Sequence, residues 1–126
     1  MEKEVVYSTD APKPIGPYSQ AVWAGNMLFV SGQIALNPQT GELIQENIET
    51  ETKTVLNNIK AILAEAGIDF SNIVKTSIFL KNMDDFATVN TIYASYFTAN
   101  FPARETVQVS KLPKDVNVEI SVIAIR

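Results

Sequence analysis

The sequence lacks cysteine and histidine altogether among its 126 residues. These absences exclude a disulfide scaffold, a thiol nucleophile, a zinc site built on Cys, a Ser-His-Asp triad and an imidazole base. Acidic residues are scattered, without a cluster of oxygen ligands for magnesium or calcium, so we expect no metal ion. We also expect no cofactor. Any chemistry must therefore use carboxylates, amines, guanidinium groups, hydroxyls or backbone groups.

Positive charge is also scarce. The chain has 10 Lys and Arg residues against 14 Asp and Glu residues, a net charge of −4 at pH 7. This balance predicts no general attraction to nucleic acid or to an anionic membrane. The longest charge-free stretch, Ile15–Gly41, is interrupted by Pro and Gly and is not a membrane span, and the first ten residues contain no apolar signal-peptide region. We expect a cytoplasmic protein.

The length and the 46% hydrophobic content predict one domain over residues 1–126. Alternating or short apolar runs predict strands at Glu4–Tyr7, Gln20–Ala24, Met27–Gln33, Ile73–Leu80, Thr106–Lys111 and Val116–Ile125. Gly25-Asn26 predicts a tight hairpin turn, and Leu112–Asp115 predicts a turn that joins the last two strands.

Apolar residues recur at three- and four-residue spacing from Asn47 and predict an amphipathic helix that Asn47 caps and Gly67 ends. A second helix is predicted from Asn82 to about Thr98. This order of elements favours an α+β fold, a mixed or antiparallel sheet with both helices on one face.

Both faces of the predicted last strand are apolar near its end. Val118, Ile120, Val122 and Ala124 share one face, whereas Ile123 and Ile125 lie on the other. Two helices cover only one face of a wide sheet, so the other face needs a partner subunit. The pattern predicts a homo-oligomer.

Arg104 is the only arginine before the C-terminal residue, Arg126. A guanidinium group binds a carboxylate through two parallel hydrogen bonds, so Arg104 is a candidate clamp for an acidic substrate. The alternative is a structural ion pair with Glu105, Asp115 or Glu119.

Glu119 is the one charged residue within the last predicted strand. A carboxylate in apolar surroundings suits general acid or base work, and the alternative is a solvent-facing residue on an exposed strand face. Asn90 and Tyr18 are candidates for a ligand cleft or for ordinary core positions. Ser31-Gly32 indicates either a close approach of backbone to a ligand or a β-bulge.

Four segments together resemble the RidA/YjgF family of enamine/imine deaminases: Ile15–Ala21, Phe29–Ile34, Phe101–Arg104 and Lys111–Ile120. The resemblance covers about Tyr7 to Ile125. It implies a chorismate-mutase-like fold and a homotrimer whose sheets surround a central barrel, with ligand sites between subunits. It also implies hydrolysis of 2-aminoacrylate and 2-aminocrotonate, or their imine tautomers, which pyridoxal-phosphate enzymes release, to 2-oxo acids and ammonia.

The same resemblance assigns roles to individual residues. Arg104 would hold the substrate carboxylate, and Glu119 would position or deprotonate a water that attacks the imine carbon. Backbone N–H groups near Gly32 and Thr106, with the Ser31 hydroxyl, would fix the substrate. Tyr18 and Asn90 would line the cleft.

The chain has Glu105-Thr106 where many deaminases of the family have Ser-Cys. We expect the Glu105 side chain to lie on the opposite side of its strand from Arg104. Two other functions stay open from the sequence. One is non-catalytic binding of 2-oxo acids or other small carboxylates, and the other is a ribonuclease, which the acidic balance and the absence of histidine disfavour.

Overall fold

The computed structural model describes residues 2–126. Its strands and helices follow one another along the chain as β1 (Lys3–Val6), β2 (Ala21–Ala24), β3 (Met27–Gln33), α1 (Ile48–Glu65), β4 (Ile73–Leu80), α2 (Phe86–Ala94), β5 (Ala103–Gln108) and β6 (Val118–Ile125). Six strands and two helices confirm the predicted α+β class.

The strands form one sheet in the order β1-β2-β3-β6-β4-β5. All neighbours are antiparallel except β4 and β5, which are parallel and are joined through α2. Such a parallel pair needs a crossover connection, which the helix supplies. Because β5 is last in the strand order, it lies at an edge of the sheet.

Both helices pack on the same face of the sheet, as predicted. The core beneath them combines apolar residues of α1, such as Leu56, Ile59 and Leu63, with Ile120 and Val122 of β6. We call this side of the sheet the helix face and the other side the open face.

The ends of α1 follow the sequence signals. The Asn47 side chain accepts a hydrogen bond from the Thr50 backbone N–H at 2.8 Å. Gly67 has φ +80°, a left-handed conformation that glycine adopts without steric cost. The predicted hairpin turn at Gly25-Asn26 is also confirmed, because β2 and β3 pair directly across it.

One face prediction for β4 is wrong. Alternation within Ile73–Leu80 predicts one shared face for Val74, Thr76, Ile78 and Leu80. In the structure Val74 is exposed and Ile73 is buried. The register against β6 shifts between Ile73 and Lys75, so Val74 occupies a β-bulge and the alternation restarts after it.

The prediction of a hairpin between the last two strands is also wrong. β5 begins at Ala103 rather than Thr106 and pairs with β4, while β6 begins at Val118 and inserts between β3 and β4. Period-2 alternation identifies a strand but not its partner. Charged and polar β5 residues suit a sheet edge, and a two-faced apolar strand suits a central position.

The second helix is shorter than predicted. α2 ends at Ala94, and the rings of Tyr96 and Phe97 beyond it pack on Phe70 with centroids 5.4 Å away in both cases. Their apolar spacing reflects this aromatic cluster rather than further helical turns. Asn82 caps a short 3₁₀ turn, Met83–Asp85, that precedes α2.

The open face carries an apolar row that crosses four strands. Val5, Val22, Phe29 and Ile123 are successive cross-strand partners. Val5 is 62% exposed and Phe29 is 40% exposed, although both belong to regular strands. An uncovered apolar row of this kind is typical of a surface that meets another protein.

No helix within residues 2–126 is long and apolar enough to cross a bilayer.

Candidate active site

Arg104 lies in a cleft of ≈ 420 Å³ on the helix face, lined by Asn90, Tyr93, Ala94, Phe101, Pro102 and Arg104 itself. Its Nη1 donates a hydrogen bond to Asn90 Oδ1 at 2.6 Å. The guanidinium carbon stands 5.1 Å from the centroid of the Tyr93 ring and 5.8 Å from that of Phe86. The head group is therefore held by one neutral amide and two aromatic rings.

The structure does not contain the ion pair offered as the alternative for Arg104. Within residues 2–126, Glu105 pairs with Lys75 at 3.0 Å and Asp115 pairs with Lys81 at 3.1 Å. The remaining ion pair joins Arg126 to Glu4. Four of the five guanidinium N–H donors of Arg104 thus have no side-chain partner in the described part of the chain and are available to an anion.

Glu119 lies in a second cleft, of ≈ 290 Å³, lined by Ile15, Tyr18, Ser31, Gly32, Ile34, Pro113 and Glu119. The side chain is half-buried in the open face of β6. Burial raises the pKa of Glu119 above its ordinary value of 4.5. A carboxylate with a raised pKa is a stronger base than a solvated one and is suited to accept a proton from a reacting group.

Gly32 makes room for the Glu119 carboxylate. A Cβ at Gly32 would lie 2.7 Å from Glu119 Oε2 and 2.8 Å from its Cδ. The register between β3 and β6 shifts between Val30 and Gln33, so Ser31-Gly32 forms a bulge. The β-bulge interpretation of this dipeptide is confirmed, and the group that comes close to Gly32 is the Glu119 carboxylate.

Tyr18 and Ser31 both reach the Glu119 cleft, but their hydrogen bonds differ. The Tyr18 hydroxyl oxygen accepts from the Ile15 backbone N–H at 3.2 Å, which leaves its own proton free for a ligand. The Ser31 hydroxyl donates to the Ser19 carbonyl at 2.6 Å. Ser31 can therefore offer a ligand only its oxygen as an acceptor.

The two residues after Arg104 lie on different faces of β5. Glu105 points to the open face, as predicted, where the Ser77 hydroxyl and then Lys75 hold its pKa below the ordinary value. Thr106 shares the helix face with Arg104, since their partners in β4 are Ile78 and Thr76. The Thr106 hydroxyl is buried and has no hydrogen-bond partner among residues 2–126.

The two clefts open on opposite faces of the sheet. Arg104 pairs with Thr76, which is buried beneath the helices, whereas Glu119 pairs with Phe79 on the open face. Within one chain the structure brings Asn90 to Arg104 and brings Tyr18, Ser31 and Gly32 to Glu119. It does not bring these two groups to each other.

Several lining residues were missed from the sequence. The helical spacing of Phe86 and Tyr93 around Asn90 predicts only an apolar stripe, yet their ring centroids lie 5.8 and 5.1 Å from the guanidinium carbon of Arg104. Ile15 lies in a loop and Pro113 begins a short 3₁₀ turn, Pro113–Asp115, where no periodicity indicates the direction of the side chain. Within residues 2–126, no three acidic side chains converge into a possible metal site.

A family model described as Endoribonuclease L-PSP matches residues 8–126. RutC family protein PH0854 of Pyrococcus horikoshii is 53% identical over 122 residues, which are 97% of this chain and 97% of that protein. Reactive Intermediate Deaminase A, chloroplastic, of Arabidopsis thaliana is 48% identical over 124 residues, 98% of this chain and 66% of that protein. The solved structure of E. coli TdcF with bound serine has a TM-score of 0.93 at 42% identity and covers 98% of each chain.

Proposed function

The chain belongs to the Endoribonuclease L-PSP family, that of the YjgF and RidA proteins, and from this we propose that it hydrolyses 2-imino and 2-enamino acids to 2-oxo acids and ammonia. The substrates are 2-aminoacrylate, 2-aminocrotonate and their imine tautomers. The observation that carries the proposal is an arginine with free donors in one cleft and a carboxylate with a raised pKa in the other.

Arg104 binds the substrate carboxylate. A planar 2-imino acid presents its carboxylate in the plane of the C=N bond, and a guanidinium group matches that plane with two parallel hydrogen bonds. Asn90 occupies one donor on Nη1, and the aromatic rings support the face of the group. The binding step requires no metal ion.

Glu119 activates water. The carboxylate accepts a proton as the water oxygen bonds to C2, and the C=N double bond becomes a single bond to nitrogen. Return of this proton to the nitrogen gives a carbinolamine. The Glu119 carboxylate then takes the proton of the new C2 hydroxyl and passes it to the amino group, so that ammonia leaves as the C2 carbonyl forms. An enamine first takes a proton at its terminal carbon and loses one from its nitrogen, which gives the imine.

A complete site requires two copies of the chain. The carboxylate carbon of the substrate is bonded directly to C2, so Arg104 and Glu119 must approach the same small molecule. In one chain they face opposite sides of the sheet. The cleft of Arg104 lies on the edge strand β5, where the open face of a neighbouring copy can reach it.

The open face provides the contact between copies. Its apolar row on β1, β2, β3 and β6 is uncovered by the chain's own helices. Burial of such a row removes apolar surface from water, which favours association. We propose a homotrimer, the assembly that the family resemblance implies.

The function is tested by coupling the protein to a pyridoxal-phosphate dehydratase that releases 2-aminocrotonate from threonine. Decay of the enamine absorbance and formation of 2-oxobutanoate are followed together. We expect the protein to accelerate both in proportion to its concentration. An unchanged decay with a correctly folded protein would contradict the proposal.

A second candidate is non-catalytic binding of small carboxylates. It is favoured by the similarity to TdcF, whose structure is described as having bound serine. The Arg104 cleft would serve this function unchanged. Binding of 2-oxobutanoate to a wild-type protein without deaminase activity would support it. Endoribonuclease action is not proposed, because the net charge is −4 and histidine is absent.

Gly32→Ala should lower deaminase activity by about tenfold or more, because the new methyl group displaces the Glu119 carboxylate and a misplaced catalytic group loses rate steeply. Gly16→Ala is the matched control, since its Cβ would meet only the Tyr18 ring at 3.5 Å, an ordinary contact. Steady-state kinetics of both variants give the result. Equal activities in the two variants would refute the positioning of Glu119 by Gly32.

A further inference from the structure

The guanidinium group of Arg104 needs something to orient it. Its side chain projects from an edge strand and has four rotatable bonds, and a free arginine loses considerable entropy when it is fixed by a ligand. The hydrogen bond to Asn90 restrains only Nη1. The rings of Tyr93 and Phe86, with centroids 5.1 and 5.8 Å from the guanidinium carbon, are in position to restrain the rest of the group.

Tyr93 is the better anchored of those two rings. It is 4% exposed, whereas Phe86 is 38% exposed. The Tyr93 hydroxyl donates to Thr76 Oγ1 at 3.0 Å. Burial raises the pKa of Tyr93 above its ordinary value, so this hydroxyl keeps its proton and remains a donor.

Thr76 connects the ring back to Arg104 itself. It is fully buried in β4 and is the cross-strand partner of Arg104 in β5. The three residues form a closed loop of contacts. Backbone pairing joins Arg104 to Thr76, a hydrogen bond joins Thr76 to Tyr93, and the ring of Tyr93 stands 5.1 Å from the guanidinium carbon.

We propose that Thr76 and Tyr93 are positioning residues that fix the Arg104 guanidinium for the carboxylate of the substrate. The proposal rests on the function given above. It adds two residues whose hydroxyl groups do not touch the substrate and act only through Arg104. Loss of the hydrogen bond between Tyr93 and Thr76 should leave the Tyr93 ring in the cleft but free to tilt. The guanidinium group would then lose its fixed plane.

The orientation of Arg104 can be measured directly, because the chain has only two arginines, Arg104 and Arg126. The Arg104 Nε–Hε signal is assigned in ¹⁵N NMR by its absence from Arg104→Lys. We expect its order parameter to fall toward the flexible range, below about 0.6, in Thr76→Val and Tyr93→Phe. Thr76→Ser, which keeps the hydroxyl, should retain the wild-type value.

Kinetics provide the second readout. Thr76→Val and Tyr93→Phe should raise KM about three- to tenfold with kcat changed less than about twofold, because carboxylate binding is used equally in the ground and transition states. The double variant should match either single variant, since both remove one hydrogen bond. Thr76→Ser should keep the wild-type KM.

The outcomes separate this proposal from the proposed function. An unchanged Arg104 order parameter in folded Thr76→Val and Tyr93→Phe overturns the positioning role whatever the activity. A mobile Arg104 with unchanged KM in an active enzyme also overturns it. A mobile Arg104 in variants of a protein whose wild type neither deaminates imines nor binds 2-oxobutanoate supports the restraint and refutes the deaminase function.

Discussion

Arg104→Lys is expected to lower kcat/KM for 2-aminocrotonate by about 100-fold or more. Lysine keeps the positive charge but offers a point charge in place of the planar fork. It also loses the flat surface that packs on Tyr93 and Phe86. The dehydratase-coupled assay measures the change.

Arg126→Lys is the matched control, because Arg126 is the other arginine of the chain. Its guanidinium carbon lies 4.0 Å from the centroid of the Trp23 ring and its Nη2 lies 3.8 Å from Glu4 Oε2. We expect activity within about twofold of wild type, since ordinary surface substitutions have small effects. A nearly full rate in Arg104→Lys would remove Arg104 from the carboxylate site.

Glu119→Gln is expected to lower kcat by about 10²- to 10⁴-fold, the usual contribution of a general base. Glutamine keeps the shape of the side chain but accepts no proton. Burial raises the pKa of Glu119 above 4.5, and the base is the deprotonated form. Wild-type kcat/KM should therefore fall as pH decreases through that raised value, and the remaining activity of Glu119→Gln should lack this acid limb.

Glu105→Gln is the matched control, because it also removes a negative charge from the open face but leaves Glu119 intact. Glu105 lies on the same face, but Ser77 and Lys75 hold its pKa below the ordinary value. We expect this variant to keep both the rate and the acid limb of wild type. The pH profiles of kcat/KM for Glu119→Gln and Glu105→Gln are both measured after subtraction of the uncatalysed hydrolysis. A retained acid limb in Glu119→Gln would assign that limb to another group.

Local signals in the sequence were sufficient for most elements of the fold. The capping residue Asn47 and the terminating Gly67 define α1, and alternation defines β6 with its buried Val118 and Ile120. Strand order was not accessible in the same way. The insertion of β6 between β3 and β4 depends on contacts between residues far apart in the chain, which local periodicity does not report.

The site was predictable as residue types but not as an arrangement. The sequence identifies Arg104 and Glu119 as candidates by their charged side chains, and in the structure both residues line clefts. Their placement on opposite faces follows from the pairing of β5 with β4 and of β4 with β6. The spacing of Tyr93 predicts only a place on the apolar face of a helix, because nothing in the sequence shows that its hydroxyl reaches Thr76.

In the proposed assembly, each site takes Arg104 from one copy of the chain and Glu119 from another. The most direct measurement is to mix Arg104→Ala and Glu119→Ala subunits in equal amounts, dissociate and reassemble them, and assay the product. Mixing is verified by mass spectrometry of differently tagged subunits. Each parent assembly alone should be inactive.

The expected activity has a definite value. A site is intact when its Arg104 comes from a Glu119→Ala copy and its Glu119 from an Arg104→Ala copy, and each choice has a chance of about one half in random mixing. The mixture should therefore recover about one quarter of wild-type activity per subunit, whatever the number of subunits in the closed assembly. Verified mixed assemblies without activity would contradict the shared site and place Arg104 and Glu119 in separate roles.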